Sequence, residues 1–292
     1  MRISQRIGVR GGLIGPAVAL LLLAGCGQQP GQKPEARTAR RVVCGTPAVA
    51  EIVFALGCGD RVVGVSEFTD WPPEAAAKLC IGSALAPRRE SLLRVAPDWI
   101  LSQGRSEALA AFAQAQGIGF LAFPLDDLAD LRAAIAGFAA ALGAEESGRE
   151  LLAGMEAGFA AIPAGAPTPV FIALGHAPGD LSGLMTAGPG TFLDEIVAQA
   201  GGSNVFADLQ ILWPRVSQES LIRRRPALIL DFQTAPVDAA RRAALNADWE
   251  RLGFPAGQVR ILTEDYLLKP GPRAPQSAAR IAAALGRPGA AN

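Results

Sequence analysis

Short apolar runs alternate with helical patterns along most of the chain. Residues 41–44, Arg-Val-Val-Cys, read as a buried strand. Thr46 then supplies an N-cap with Pro47 at the first helical position, Ile52, Val53 and Leu56 recur at helical spacing, and Gly57 ends the helix. Residues 61–65 form a second short strand. Trp71-Pro72-Pro73-Glu74 is a loop entering a short helix. Residues 98–101 and 119–123 are further strands, separated by an Ala-rich helix around 107–116. From 126 to 162 the chain is helical with a break near Gly143, and Ala-Gly-Ala-Pro-Thr-Pro at 164–169 marks a boundary. Strands follow at 170–174, 227–231 and 258–262, with a helix at 191–200 ending at Gly201-Gly202 and a closing helix at 272–285. Strands alternating with helices predict an α/β fold with largely parallel sheets.

A repeat divides this pattern in two. Residues 90–101 read Glu-Ser-Leu-Leu-Arg-Val-Ala-Pro-Asp-Trp-Ile-Leu and residues 219–230 read Glu-Ser-Leu-Ile-Arg-Arg-Arg-Pro-Ala-Leu-Ile-Leu; seven of twelve positions are identical. Each copy reads as a helix, a proline turn and a buried strand. The offset, 219 against 90, is 129 residues, about one lobe. Two copies are too few for a solenoid, so two pseudo-symmetric lobes facing each other are expected. The organisation is then an N-terminal α/β lobe at 41–125, a helical connector at 126–163 and a C-terminal α/β lobe at 164–292. A continuous helix over 145–162 would join the lobes stiffly, unlike a Gly-rich linker. The cleft between lobes is the natural ligand site.

The first 40 residues follow a different logic. Arg2, Arg6 and Arg10 form a basic head, and the apolar run 13–24 suits a signal-peptide core but is short for a membrane span. It ends in Leu23-Ala24-Gly25-Cys26, which resembles a bacterial lipobox. Residues 1–25 are then a lipoprotein signal peptide and Cys26 the lipidated first mature residue. Residues 26–40, rich in Pro, Gln and Arg, read as a flexible tether. The expected location is periplasmic, with the protein lipid-anchored to the membrane.

Composition then removes function classes. The formal net charge is zero, and without residues 1–25 the chain has 24 basic against 27 acidic residues, a net charge of −3. Nucleic-acid binding by phosphate neutralisation is not expected. The one histidine, His176, excludes multi-histidine metal sites, and no G-x-S-x-G or P-loop motif is present. Gly57-Cys58-Gly59 starts like a dinucleotide fingerprint but follows a helix and lacks the third glycine. No enzyme activity and no resident cofactor are expected. Beyond Cys26 there are three cysteines, so at most one pair forms. Cys58–Cys80 is the preferred disulfide, because Cys44 falls in a buried strand.

Four stretches together resemble the helical-backbone solute-binding proteins of ABC importers, which bind vitamin B12, ferric siderophores or haem. They are 41–47 running on through Glu51-Ile52 to Gly57; Arg61-Val-Val-Gly-Val-Ser66 with Asp70-Trp-Pro-Pro-Glu74; the first repeat copy; and Gly201-Gly-Ser-Asn-Val-Phe-Ala-Asp208 with Trp213-Pro-Arg-Val-Ser-Gln-Glu219. Cys44 replaces the serine usual in the first stretch. The resemblance covers roughly residues 41–288. It implies a monomeric receptor that delivers a metal chelate to a permease dimer powered by a cytoplasmic ATPase. It also implies that Glu90 and Glu219, one per lobe, dock onto permease arginines; a two-fold symmetric partner presents the same site twice.

For the ligand, the resemblance points to loop aromatics: Trp213 first, then Trp71 and Tyr266, with Arg215 nearby. Trp99 is expected in the core. The Trp-Pro before Val-Ser is similar to B12-binding members, which favours cobalamin. No aromatic stands in 82–85 or 102–104, a departure from those members, and Arg88, Arg89, Arg105 and Arg215 could countercharge an anionic ferric siderophore. Haem is third, because the first lobe has no tyrosine; His176 is the one candidate to ligate iron or cobalt. Two readings of other classes are an enzyme working in the cleft and an envelope scaffold lipoprotein.

Overall fold

Val42–Cys44 (β1) is wholly buried and forms the centre of the first sheet. The structure, a computed structural model, describes residues 39–287. The expected signal peptide, Cys26 and nearly all of the tether therefore lie outside the described residues. After β1 come Pro47–Ala55 (α1), Val62–Val65 (β2), Pro73–Ala76 (α2), Leu79–Cys80 (β3), Arg89–Val95 (α3), Trp99–Gln103 (β4), Glu107–Gln116 (α4) and Gly119–Phe123 (β5). The strand order is β3-β2-β1-β4-β5, and every pairing is parallel. Alternation along each strand sets the layers. Val42, Cys44 and Leu101 face one apolar cluster with α1, whereas Val43 and Ile100 face the other with Leu92, Leu109 and Phe112. At Gly119 a Cβ would lie 2.5 Å from the Trp99 indole, so the missing side chain lets β5 accept that ring.

Two helices follow, Leu128–Leu142 (α5) and Glu145–Ala160 (α6), with Gly143 in the left-handed region (φ 61) as the cap that separates them. The second lobe comprises Thr168–Leu174 (β6), Leu184–Met185 (β7), Phe192–Gln199 (α7), Gly202–Asn204 (β8), Arg215–Val216 (β9), Gln218–Arg224 (α8), Leu228–Phe232 (β10), Ala239–Arg251 (α9), Val259–Leu262 (β11) and Ala274–Ala284 (α10). Its sheet runs β11-β10-β6-β7-β9, with β8 also on β6. The β6–β10, β10–β11 and β6–β8 pairs are parallel; β7 is antiparallel to both β6 and β9. The triplet β6-β10-β11 reproduces β1-β4-β5. Val170, Ile172 and Leu230 face inward, and Phe171, Ala173 and Ile229 pack outward with Trp249.

Both repeat copies fold alike. α3 and α8 have the same length, and each ends at a non-glycine residue in the left-handed region, Ala96 (φ 40) and Arg225 (φ 48). Pro97 and Pro226 follow these residues; a proline disfavours right-handed α geometry in the residue before it, so both helices stop there.

One apolar cluster runs through both lobes. It joins β1, α1 and α5 to α6, β6, α7 and α10. Lobes that share a core cannot swing widely apart without exposing it, so the joint is stiff. Among the described residues no helix is long and apolar enough to cross a membrane.

The expected disulfide is not formed: Cys44, Cys58 and Cys80 are all free. Cys58 precedes the turn that enters β2, while Cys80 pairs with Val65 at the far end of that strand. Cys44 is fully buried and burial pushes its thiol up to about 12, so it is an inert packing residue.

Candidate functional site

Central strands of both sheets end at one cavity of roughly 580 Å³. Gln103 at the end of β4 and Leu125 and Asp126 beyond β5 line it from the first lobe. Leu174 and Phe232, the last residues of β6 and β10, line it from the second, with Gly175 and Thr234 just beyond them. Parallel α/β sheets place ligands at the carboxyl ends of their strands, where chain direction leaves loops to form a crevice. Met185, Phe192, Leu193, Trp213, Leu268 and Pro270 complete the wall. The lining is apolar apart from Gln103, Asp126 and Thr234.

Trp213 is fixed by its neighbours. The Gly188 N–H donates to the Leu212 carbonyl (2.7 Å) and the Thr186 N–H to the Pro214 carbonyl (3.0 Å). These bonds pin the loop on either side of the indole to the chain that continues β7. A Cβ on Gly188 would collide with the Ile211 carbonyl, so this approach requires glycine. Trp213 remains 48% exposed, and Met185, Ile211 and Leu212 are exposed too, which makes an apolar rim. Across the floor the Phe192 N–H donates to the Asp126 carbonyl, and the Leu128 N–H donates to Glu195 Oε2 (2.7 Å). The cavity is thus built between lobes already tied together.

Trp71 and Tyr266, the other aromatics expected at the cleft, do not line this cavity. Trp71 and Tyr266 flank the Arg273 guanidinium, at 5.1 and 5.0 Å from their ring centres. Arg273, at the start of α10, makes a bidentate pair with Glu51 of α1: Nε donates to Oε2 (2.9 Å) and Nη2 to Oε1 (2.6 Å). Lys269 adds a second link between lobes, donating to Asp70 (2.9 Å) and Asp265 (2.6 Å). Burial opposes the Lys269 charge, yet these two carboxylates hold it above the usual lysine range. Trp71 and Arg273 line a second cavity, of roughly 650 Å³, with Phe54, Glu74 and Lys78. Trp71 and Tyr266 therefore belong to an inter-lobe seam and not to the wall of the strand-end cavity.

His176 also departs from expectation. It is buried, with its ring 4.9 Å from that of Trp249 in an edge-on contact. Nδ1 lies 3.5 Å from Asp231 Oδ2 and Nε2 3.8 Å from Asp248 Oδ2. Asp231 accepts from Trp249 Nε1 (2.8 Å) and Gln233 Nε2 (2.7 Å). The imidazole is enclosed within the second lobe and does not reach the cavity. Among the described residues no three His, Cys, Asp or Glu side chains are grouped to hold a metal ion. Arg88, Arg89, Arg105 and Arg215 are all exposed and line neither cavity; Arg215 donates to the Gly183 carbonyl (3.5 Å). Glu90 and Glu219 are exposed on α3 and α8.

The wall of this cavity takes in Trp213, which the sequence singles out, and Phe192, Met185 and Phe232, which it does not. The sequence reading also passed over Glu51 as a joining residue. The signal was present, since Glu51 is the one charged residue in the otherwise apolar α1.

Two α/β lobes on a shared helical core, with an apolar crevice at their strand ends, have the architecture of a two-lobed binding protein. Known proteins agree. A family profile described as periplasmic binding protein matches residues 42–234, and the chain belongs to that family. A vitamin B12-binding protein of Pectobacterium atrosepticum is 30% identical over 264 residues, covering 84% of this chain and 88% of that protein. A vitamin B12-binding protein of Vibrio cholerae is 27% identical over 244 residues, covering 80% and 85%. Among solved structures, a periplasmic heme-binding protein of Vibrio cholerae superposes with a TM-score of 0.73 at 20% identity, covering 84% of this chain and 98% of that one. The last likeness concerns the fold alone.

Proposed function

We propose that the protein is a lipid-anchored periplasmic receptor that binds cobalamin in the strand-end cavity and delivers it to an ABC permease. The observation that carries this reading is the chemistry of the lining. No histidine, tyrosine or cysteine lines the cavity among the described residues, so a metal whose coordination is completed by its own chelate suits it better than one seeking protein ligands. No arginine or lysine lines it either, which disfavours an anionic ferric siderophore. A large corrin with apolar faces and amide edges matches an apolar wall, one indole and three polar side chains. The names of the sequence relatives support the same ligand. Glu90 and Glu219 serve as docking carboxylates, one on each lobe, and lipidation at Cys26 holds the receptor at the membrane.

Tryptophan fluorescence titration with cyanocobalamin, corrected for inner-filter absorption, tests the ligand. Saturable quenching at submicromolar ligand is expected, and Trp213→Ala should weaken binding by about tenfold or more. Folded protein that shows no saturable quenching would sink the cobalamin reading. Ferric siderophores then come first, with the exposed Arg88, Arg89, Arg105 and Arg215 as the groups to mutate, and haem remains third.

A further inference from the structure

The two repeat copies match in which side chains they bury as well as in sequence. In α3, Leu92 is fully buried while Glu90, Leu93 and Arg94 are exposed. In α8, Leu221 is fully buried while Glu219, Ile222 and Arg223 are exposed. Leu93 is 50% exposed and Ile222 46%. Positions i, i+3 and i+4 share one face of a helix, so each lobe presents the same triplet: a carboxylate, a branched apolar side chain and a guanidinium.

Topology places both triplets on the same side of the protein. Each helix precedes a strand of its own sheet and runs back against it, so its first residue stands level with that strand's carboxyl end. In the first lobe the Arg88 N–H donates to the Ile81 carbonyl (2.7 Å), just past β3. In the second, Arg215 of β9 pairs with Met185, which pairs with Leu174 at the end of β6, and α8 starts three residues later. Each triplet thus begins on the carboxyl-end side of its own sheet, the side on which that sheet borders the cavity.

One exposed leucine needs no explanation. A leucine and an isoleucine at the same offset, at similar exposure and flanked by the same charges, do. A surface repeated by internal pseudo-symmetry fits a partner that is itself a two-fold dimer, each half offering the same pocket. We infer that Leu93 and Ile222 are the apolar anchors of a two-point docking surface for a homodimeric membrane partner, which holds an apolar pocket flanked by a basic and an acidic group in each half. This rests on the transport reading and deepens it. Charges at the edge of such a contact govern encounter and orientation, while the desolvated apolar centre governs how long the complex lasts.

The test is surface plasmon resonance of the purified protein against its cognate permease–ATPase complex in lipid nanodiscs, with cyanocobalamin titration as a folding and binding control. Leu93→Ser and Ile222→Ser should each raise the dissociation rate by about five- to tenfold with association nearly unchanged. Glu90→Gln with Glu219→Gln should instead lower the association rate and flatten its salt dependence. Wild-type dissociation in both serine variants, with slowed association in the glutamine pair, overturns the anchor role and leaves the docking reading standing. Wild-type behaviour in all variants, or no binding by the wild type, overturns both. An effect from one lobe only overturns the two-fold geometry. Self-association of the chain, abolished by the serine substitutions, assigns the surface to a second copy and overturns the membrane partner.

Discussion

Strands β4 and β10 occupy equivalent places in the two lobes yet bury different polar groups. Ser102 and Asp231 are 129 positions apart, the repeat offset, and both are wholly buried. Ser102 shares a hydrogen bond with the Ser106 hydroxyl (2.7 Å), close beneath Gly45. Asp231 instead accepts from an indole and an amide and faces the His176 ring. One backbone thus accommodates two solutions. The first lobe keeps a small neutral pair that passes its hydrogen bond on to a nearby backbone carbonyl, Ser106 donating to Gln103. The second encloses a carboxylate that needs donors from Gln233, just past β10, and from α9, so its polar interior ties separate elements together. Buried polar groups of the second kind are costly when any member is lost, because the remaining donors have no water to turn to.

Each lobe's polar centre acts locally, whereas the Glu51–Arg273 seam acts across both. Its side chains are only 4% and 17% exposed. Removing one partner strands the other charge, and such losses cost about 3–5 kcal/mol. Glu51→Ala or Arg273→Ala should therefore lower urea-unfolding stability by about that amount. Amide exchange should accelerate in both α1 and α10. Stability within 1 kcal/mol of wild type would show that the shared apolar core alone joins the lobes.

Next in size come the two strand centres. Asp231→Ala leaves the Trp249 and Gln233 donors unmatched and should cost about 3 kcal/mol, against about 1 kcal/mol for Ser102→Ala. Asp231→Asn retains an acceptor for the indole and should fall between them. Exchange protection should drop in β10 and α9 for the aspartate variants, with the first sheet unchanged. Equal costs at Ser102 and Asp231 would remove the distinction drawn between the lobes.

These differences mark where the sequence was readable. Apolar runs, proline turns and N-caps located β1, β2, β4 to β6, β10 and β11 and most helices, because those signals are local. The repeat conveyed the paired lobes. β7 and β9 are two residues each and exist only through pairing with β6 and each other, so no local pattern marks them. α9 buries little beyond Leu245, Asp248 and Trp249, too narrow a stripe to stand out. Missing α9 meant missing what encloses His176, which from its loop position resembled an accessible ligand. The cavity wall was legible at Trp213, beside a distinctive Trp-Pro, but Phe192 and Phe232, from α7 and β10, come together only in the folded cavity wall. Trp71 and Tyr266 were recognised as loop aromatics, and what their loops shelter is an arginine paired across 222 positions.

The smallest expected effect is the pH dependence of the seam, and its sign follows from the ion pairs. Burial works to raise Asp265, but Lys269 outweighs it and holds that carboxyl below the usual range; Glu264 is lowered in the same way by Arg280 despite its burial. A carboxylate depressed in the folded protein stabilises it above the unfolded value, about pH 4, and that contribution is lost as pH falls through the folded value. Lys269, raised when folded, contributes below its unfolded value near 10.4 and loses that only as pH rises through the folded value. The seam should hold steady from about pH 5 to 10 and weaken on the acid side. Asp70 and Asp265 are more than half exposed, so solvent screening keeps the Lys269 share below about 1 kcal/mol. Urea unfolding of wild type and Lys269→Ala from pH 3 to 7 separates this share. The two curves should differ above pH 5 and draw together as pH falls, because protonation of Asp265 removes a carboxylate that favours the ammonium. A constant gap across that range would mean that Lys269 acts by packing its alkyl chain in the seam and not by charge.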